Sequence, residues 1–112
     1  MVEFTFLYRG SQAANLSPDE RQKQMEKWMA WFKDMGAKVK NPGHPLENGG
    51  KVVRGKPIAV SDGPYAEAKD LVGGFTLIEA SDLAQAAELA KGCPILEAGG
   101  SVEVRPVMQM NM

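Results

Sequence analysis

The chain has 112 residues, a formal net charge of −1 and an apolar fraction of 44%, values typical of one soluble domain, 1–112, with its own core. The near-neutral charge does not favour a nucleic-acid partner, and no apolar run reaches the length of a membrane-spanning helix. Its single cysteine, Cys93, excludes an internal disulfide, and with one histidine there is no metal-ligand spacing. We therefore expect no metal and no other cofactor. The first residues lack an apolar signal segment, so we expect a cytoplasmic protein.

The N-terminal part predicts a strand followed by a helix. Residues 2–8 alternate between an apolar face and a mixed face, as in a strand with one buried side. Ser17, Pro18 and Glu20 then have the types and spacing of a helix N-cap, first helical residue and capping box. The predicted core face of the strand consists of Val2, Phe4, Phe6 and Tyr8, and the mixed face of Glu3, Thr5, Leu7 and Arg9.

The first helix carries an apolar stripe, and Gly36 is placed to end it. Trp31 lies on the flank of this stripe, where we expect it to cover the core edge; contact with a partner chain or a pocket stays open. The residues of the stripe, at helical spacing, are Met25, Trp28, Met29 and Phe32.

The middle of the chain predicts mostly strands and turns. Residues 38–40 predict a short strand, and the prolines and glycines that follow predict an irregular segment. Residues 51–54 and 57–61 predict two strands joined by a tight turn at 55–56. Pro57 places the beginning of its strand there, or places that strand at an edge.

The candidate site falls in residues 60–75, where turn chemistry, an aromatic ring and charged groups lie between two strands. A strand follows over 72–80, with Phe75, Leu77 and Glu79 on one face. Ser81 is the predicted N-cap of a second helix. Its small-residue face lets the helix approach a sheet closely and consists of Leu83, Ala86, Ala87, Leu89 and Ala90. Glycine and proline at 92 and 94 end this helix, and residues 101–109 predict the last strand.

This order predicts an α+β fold with an antiparallel sheet and both helices on one face. The other face of the sheet, which carries the mixed side of the first strand, would then be uncovered. Sheets of this kind often pair with a second copy, so we expect a homodimer.

The run Asp62-Gly63-Pro64-Tyr65-Ala66-Glu67 resembles the YCII-related family, in the branch with an Asp-Gly-Pro-Phe (DGPF) signature. Tyr65 stands where phenylalanine is usual, which keeps the ring and adds a hydroxyl group. The resemblance covers nearly the whole chain. It also includes Phe6-Leu7-Tyr8, Lys69, Gly73-Gly74-Phe75, Leu77-Ile78-Glu79-Ala80, Gly92-Cys93-Pro94 and Gly99-Gly100-Ser101-Val102-Glu103-Val104-Arg105-Pro106.

The resemblance implies a ferredoxin-like domain that pairs sheet to sheet into a dimeric α+β barrel. It implies no single activity. Some members are proposed to be enzymes in which a histidine and an aspartate meet in a cleft, and others occur near or fused to sigma-factor genes. The fold also hosts isomerases, monooxygenases and ligand binders, so fold analogy does not choose among them.

Asp62 and His44 are the candidate catalytic residues. Asp62 ends a strand, where its carboxylate suits a general base or ligand acceptor, but an aspartate before Gly-Pro also commonly hydrogen-bonds the backbone of its own turn. His44 is the only histidine, and from its loop it could reach Asp62 and form a dyad. A lone loop histidine is more often a solvated side chain, so both interpretations stay open.

The remaining candidates are ligand-binding residues. Glu67 and Lys69 lie two positions apart and point the same way in an extended backbone, where they either bind a ligand or pair with each other. The pair Gly73-Gly74 favours close packing of another backbone over a phosphate cradle. Cys93 predicts a buried filler and not a nucleophile. Tyr65 completes the candidate set with the cations expected on the open sheet face or its rim, Arg9, Arg54 and Arg105.

Two functions are compatible with these residues. The first is a small-molecule enzyme or binder with a cleft near Asp62. The second is a non-catalytic dimeric interaction module, linked through the family to transcriptional regulation by a sigma factor. A cleft that holds Asp62 together with His44 or a cation would favour the first. An Asp62 carboxylate that accepts only backbone amide hydrogens would favour the second.

Overall fold

The computed structural model describes residues 1–10, 16–47, 49–63 and 70–110. It has an α+β architecture in which four antiparallel strands form a sheet of order β2-β5-β1-β6 and a separate hairpin pairs β3 with β4. This is a ferredoxin-like fold, as predicted. The elements in chain order are β1 (Val2–Arg9), α1 (Pro18–Met35), β2 (Val39–Asn41), β3 (Gly50–Arg54), β4 (Ala59–Gly63), β5 (Val72–Ala80), α2 (Leu83–Ala90) and β6 (Ser101–Pro106).

The core lies between one face of the sheet and the two helices. Strand β1 is central and pairs with β5 from Val2 opposite Ala80 to Tyr8 opposite Gly74, so side chains of matching parity share a face. The predicted faces of β1 and β5 are confirmed, apart from Val2, which is exposed at the strand end. The core side chains that the sheet contributes are Phe4, Phe6, Tyr8, Thr76, Ile78 and Ala80.

Helix α1 begins as predicted and turns a different face to the core. The Ser17 side chain accepts from the Glu20 backbone N–H, the Glu20 carboxylate accepts from the Ser17 N–H, and Gly36 ends the helix at φ 55°. The predicted apolar stripe is wrong for Met25 and Met29, which are 61% and 66% exposed. Trp31, predicted at the core edge, is 7% exposed and belongs to the core.

Two overlapping stripes explain this error. Residues 28, 31, 32 and 35 follow the same three-and-four spacing as residues 25, 28, 29 and 32, and the two sets share Trp28 and Phe32. In the structure the helix packs residues 28, 31, 32 and 35 toward the core. The Trp31 indole N–H then donates to the Leu89 carbonyl at 3.1 Å, and the Trp31 ring stacks on Phe6 with centroids 5.9 Å apart.

Helix α2 packs through Ala86 and Ala90, both buried, which confirms the small-residue face at those positions, whereas the prediction is wrong for Leu83 and Ala87, which are exposed. The predicted N-cap is wrong by one residue: Asp82, not Ser81, accepts from the Gln85 backbone N–H at 2.8 Å. The Gln85 side chain in turn accepts from the Ser81 N–H at 2.7 Å. Aspartate and serine are about equally good caps, so the adjacent pair does not fix the first turn from sequence.

The β3–β4 hairpin projects from this sandwich. Its strands pair only with each other in the described residues, and the radius of gyration of 15.7 Å exceeds the roughly 13 Å of a compact domain near this size. The turn spans residues 55–58 and not the predicted 55–56, because Pro57 has no N–H to offer the ladder and β4 begins only at Ala59. Strand β6 likewise ends at Pro106, earlier than predicted.

The sheet face opposite the helices is uncovered in the described chain. Thr5, Leu7, Phe75 and Leu77 lie half-buried at its centre, and ion pairs join Arg9 to Glu103 at 2.9 Å and Lys40 to Glu79 at 3.2 Å. Neither helix of the described chain has the length and apolar character needed to cross a membrane.

Candidate functional site

A pocket of about 450 Å3 lies between helix α1, residues 42–45 and the beginning of β5. Its walls are mostly apolar and aromatic. This volume falls within the range of small-molecule sites and is about three times that of an engineered cavity that binds benzene. The aromatic side chains that define it are Tyr8, Trp28 and Phe32, with Arg21 and His44 as polar members.

The aromatic wall of the pocket is the edge of the core. The ring of Tyr8 meets Trp28 edge to face with centroids 4.8 Å apart, and Trp28 lies 6.0 Å from Phe32. Both Trp28 and Phe32 also contact the buried ring of Trp31. Core packing therefore holds the rings that face the pocket, and a ligand would meet a preformed surface.

Backbone contacts clamp residues 42–45 against β5. Pro45 forms a bridge with Gly74, and the Leu46 N–H donates to the Gly73 carbonyl at 2.8 Å. A β-carbon on Gly74 would lie 3.2 Å from the His44 carbonyl oxygen, so close packing of another backbone on this glycine is confirmed. Gly43 has φ 72°, and a β-carbon there would lie 1.8 Å from the Phe75 carbonyl oxygen. Only glycine fits at position 43.

A buried hydrogen-bond chain adds a third attachment. The Tyr8 hydroxyl donates to Thr76 Oγ1 at 2.7 Å, and Thr76 Oγ1 donates to the Pro42 carbonyl at 2.9 Å. Burial raises the pKa of Tyr8 far above its ordinary value, against the smaller opposing effect of the bond to Thr76. The phenol therefore stays neutral and keeps its donor role.

His44 stands on this clamped segment with its side chain exposed and at the pocket wall. Imidazole is the side chain best suited to proton transfer near neutral pH, and within the described chain no hydrogen bond or ion pair engages the His44 ring. The ring of a ligand stacked on the aromatic wall would lie beside the His44 imidazole. The arrangement can bind a small flat molecule and exchange a proton with it.

Asp62 lies elsewhere, on the projecting hairpin. Its side chain is 87% exposed and pairs with Lys51 at 2.5 Å, its directly opposite neighbour in the ladder. It is not one of the described residues around the pocket, and no hydrogen bond or ion pair joins it to His44 in the described chain. No cleft surrounds Asp62 among the described residues, and residues 64–69, which continue its own turn, lie outside them. The two catalytic candidates are not brought together.

The other candidates divide into two groups. Tyr65, Glu67 and Lys69 lie outside the described residues. Arg9 does lie on the open sheet face, where Glu103 and the Asp70 carbonyl accept from its guanidinium, and Arg105 is exposed on β6 opposite Thr5. The expected place of Arg54 is wrong: it lies on the hairpin.

Cys93 is buried, and burial raises the pKa of its thiol to about 12, against the smaller opposing effect of a hydrogen bond with the Ile95 backbone. It is a packed neutral thiol, as predicted. Among the residues that the structure describes, no group of three or more histidine, cysteine, aspartate or glutamate side chains is placed to hold a metal ion.

Sequence reasoning missed most of the pocket. Tyr8, Trp28 and Phe32 carry core patterns in the sequence, and nothing there separates a core ring from a ring at the edge of a cavity. The sequence contained one indication of the pocket. Arg21 and Gln24 share a helical face with Trp28, so the apolar stripe of α1 ends in two polar residues that a core face would not need.

The fold and the pocket define a small ferredoxin-like α+β domain with a ligand-sized cavity between its first helix and its sheet. The chain belongs to the YCII-related domain family, whose model matches residues 3–111. Among solved structures it is similar to 5-chloro-2-hydroxyhydroquinone dehydrochlorinase (TftG) from Burkholderia phenoliruptrix AC1100, in complex with 2,5-dihydroxybenzoquinone. The TM-score is 0.56 at 20% identity, over 96% of this chain and 95% of that chain, a likeness that shows the fold alone. No curated protein matches the chain.

Proposed function

We propose that the chain binds a small aromatic molecule in the pocket beside α1 and that His44 exchanges a proton with it. The observation that carries this proposal is the position of the only histidine on the wall of a 450 Å3 aromatic pocket. Rigid attachment of residues 42–45 supports a chemical role, because proton transfer needs a donor and acceptor held in one geometry.

A hydroxylated ring is the ligand class that we propose. The structurally similar dehydrochlorinase is described in complex with 2,5-dihydroxybenzoquinone, and a flat ring of that kind suits a pocket walled by the rings of Tyr8 and Trp28. A proton taken from or returned to such a ring interconverts its tautomers. The proposed site uses His44 and leaves out Asp62, Arg9 and Arg105, which lie on the hairpin or on the sheet face away from the helices.

The first experiment measures binding and proton exchange together. Calorimetry of the wild type with 2,5-dihydroxybenzoquinone tests binding, and NMR in D2O follows deuteration of its ring positions. We expect binding by the wild type and His44→Gln, with faster ring deuteration only for the wild type. Asp62→Asn is the matched control and should behave as the wild type. Absence of both binding and exchange in the wild type would contradict the proposal and favour a non-catalytic interaction module.

We also propose that the chain works as a cytoplasmic homodimer of the DGPF branch. The run Asp62-Gly63-Pro64 supports the branch, and the half-buried apolar centre of the open sheet face supports pairing through that face. Light scattering on a sizing column tests the pairing: we expect twice the chain mass of 12.1 kDa. A monomer at micromolar concentration would contradict it.

A further inference from the structure

We propose that the natural ligand is an aromatic monoanion, held with its ring on Trp28 and its negative group at Arg21. This inference rests on the proposed function and deepens it by naming the charge of the ligand and the residue that selects it. It arises from the way polar and aromatic side chains are distributed along one face of α1.

The pocket face of α1 is graded from polar to aromatic. Positions 21, 24, 25, 28 and 32 follow helical spacing and all line the pocket. Arg21 and Gln24 lie at the end nearer the helix N-terminus, and Trp28 and Phe32 lie toward the other end. A purely apolar ligand would leave the donors of Arg21 and Gln24 without a use, whereas a ring with one acceptor group matches both ends.

The charge around the pocket has one sign. Arg21 is the only arginine or lysine among its described lining residues, and no aspartate or glutamate is among them. Within the described chain no carboxylate forms an ion pair with Arg21. Lys27, six residues further along the same helix, is by contrast paired with Glu97 at 2.7 Å. The guanidinium group at the pocket is therefore available to an anion.

The dimensions agree with one ligand that spans both ends. Trp28 lies seven positions after Arg21, which is about 10 Å along a helix axis. An arginine side chain and a carboxylate or phenolate on a bicyclic ring together cover that distance. His44 lies on the other wall of the pocket, on residues 42–45.

The test compares naphthoate with the neutral, nearly isosteric naphthamide by calorimetry at low and moderate salt. The variants are Arg21→Gln and Lys23→Gln, the latter a charge-matched control on an exposed position of the same helix that does not line the pocket. We expect the wild type to prefer naphthoate by about tenfold, and Arg21→Gln to lose that preference. Naphthamide affinity should stay the same in both variants, and Lys23→Gln should keep the preference.

The outcomes separate the two proposals. Equal affinity of the wild type for both compounds, or an unchanged preference in Arg21→Gln, would overturn the anion inference and leave the aromatic pocket standing. Loss of preference in Lys23→Gln to the same degree would also overturn it, because a general surface charge effect would then suffice. Failure of naphthoate, naphthamide and 2,5-dihydroxybenzoquinone alike to bind would contradict the proposed function itself. Circular dichroism checks that each variant is folded.

Discussion

The segment that carries His44 and the hairpin that carries Asp62 both lie in the one connection between β2 and β5, yet they relate to the body of the protein in opposite ways. Residues 42–45 are fixed to β5 by backbone bonds and to β1 through Thr76. The β3–β4 hairpin pairs within itself, and Val53, Ile58 and Val60 on it are exposed.

The difference shows that a conspicuous sequence motif and a preformed site need not coincide. The Asp62 run is rich in turn chemistry and charge, but the described part of it sits on a solvated ribbon. The segment around His44 looks irregular in sequence, but close backbone packing makes it rigid. Rigidity that positions a side chain for chemistry arises from contacts distant in sequence, which a local motif does not encode.

The largest expected effect is on unfolding free energy, when one methyl group is added at a glycine in each of the two regions. Gly43→Ala places a β-carbon 1.8 Å from the Phe75 carbonyl oxygen at φ 72°, and should cost about 3 kcal/mol or more of unfolding free energy. Gly55→Ala is the control in the hairpin turn, where nothing lies within 4 Å of the new atom. Urea unfolding measures both. Equal losses in the two variants would contradict a clamped segment.

Thr76→Val should have the next largest effect. It keeps the shape of the side chain and removes both hydrogen bonds, which leaves the buried Tyr8 hydroxyl and the part-buried Pro42 carbonyl unpaired. We expect a loss of about 2 kcal/mol, with Thr76→Ser recovering most of it because its hydroxyl can make both bonds. Unfolding free energies of the two variants check this. A Thr76→Ser loss as large as that of Thr76→Val would show that packing, not the hydrogen-bond chain, matters.

Alkaline pH should lower the stability of the main sheet and its helices, where Tyr8 and Cys93 are buried, before it affects the hairpin. Burial raises the pKa values of Tyr8 and of Cys93, the latter to about 12, so the folded state holds these protons more tightly than the unfolded chain. Below the pKa values of the unfolded chain, that of the thiol being 9.0, the two protonated groups contribute their full stabilisation. This stabilisation is lost as the pH rises from there toward 12. Urea midpoints at stepped pH test this, with Cys93→Ala as the control. A midpoint in Cys93→Ala that falls as steeply as in the wild type would contradict the part assigned to the thiol.

Asp62→Asn should have the smallest effect. The ion pair with Lys51 is exposed on both sides, and such pairs contribute at most about 1 kcal/mol and often nothing measurable. We expect a change in unfolding free energy within about 0.5 kcal/mol. Lys51→Gln should match it. A loss of several kcal/mol in either variant would show that the hairpin is more tightly bound to the body than its geometry indicates.

Much of the fold was predictable because it is encoded locally. Alternation fixed the faces of β1 and β5, and the capping box at Ser17 and Glu20 fixed the beginning of α1. The buried face of α1 was not predictable, since two apolar stripes share Trp28 and Phe32. The N-cap of α2 was ambiguous for a similar reason, because Ser81 and Asp82 are adjacent.

The candidate site was predictable only in part. His44 followed from being the sole histidine, and its loop followed from its proline and glycine neighbours. Its position at a pocket wall depends on close backbone contacts, of Gly43 with Phe75 and of His44 with Gly74. It also depends on the hydrogen bond from the buried Thr76, more than thirty residues away in sequence, to Pro42. No local pattern carries those contacts.

The most direct test of the account maps a bound ligand onto the backbone. Amide and indole chemical shifts are recorded by NMR for the protein during a titration with 2,5-dihydroxybenzoquinone. We predict that the largest changes fall on the Trp28 indole and on the amides of Gly43, His44 and Gly74, with residues 50–63 unchanged. Changes concentrated in residues 50–63, with Trp28 and His44 unaffected, would contradict the claim that the site is the pocket beside α1.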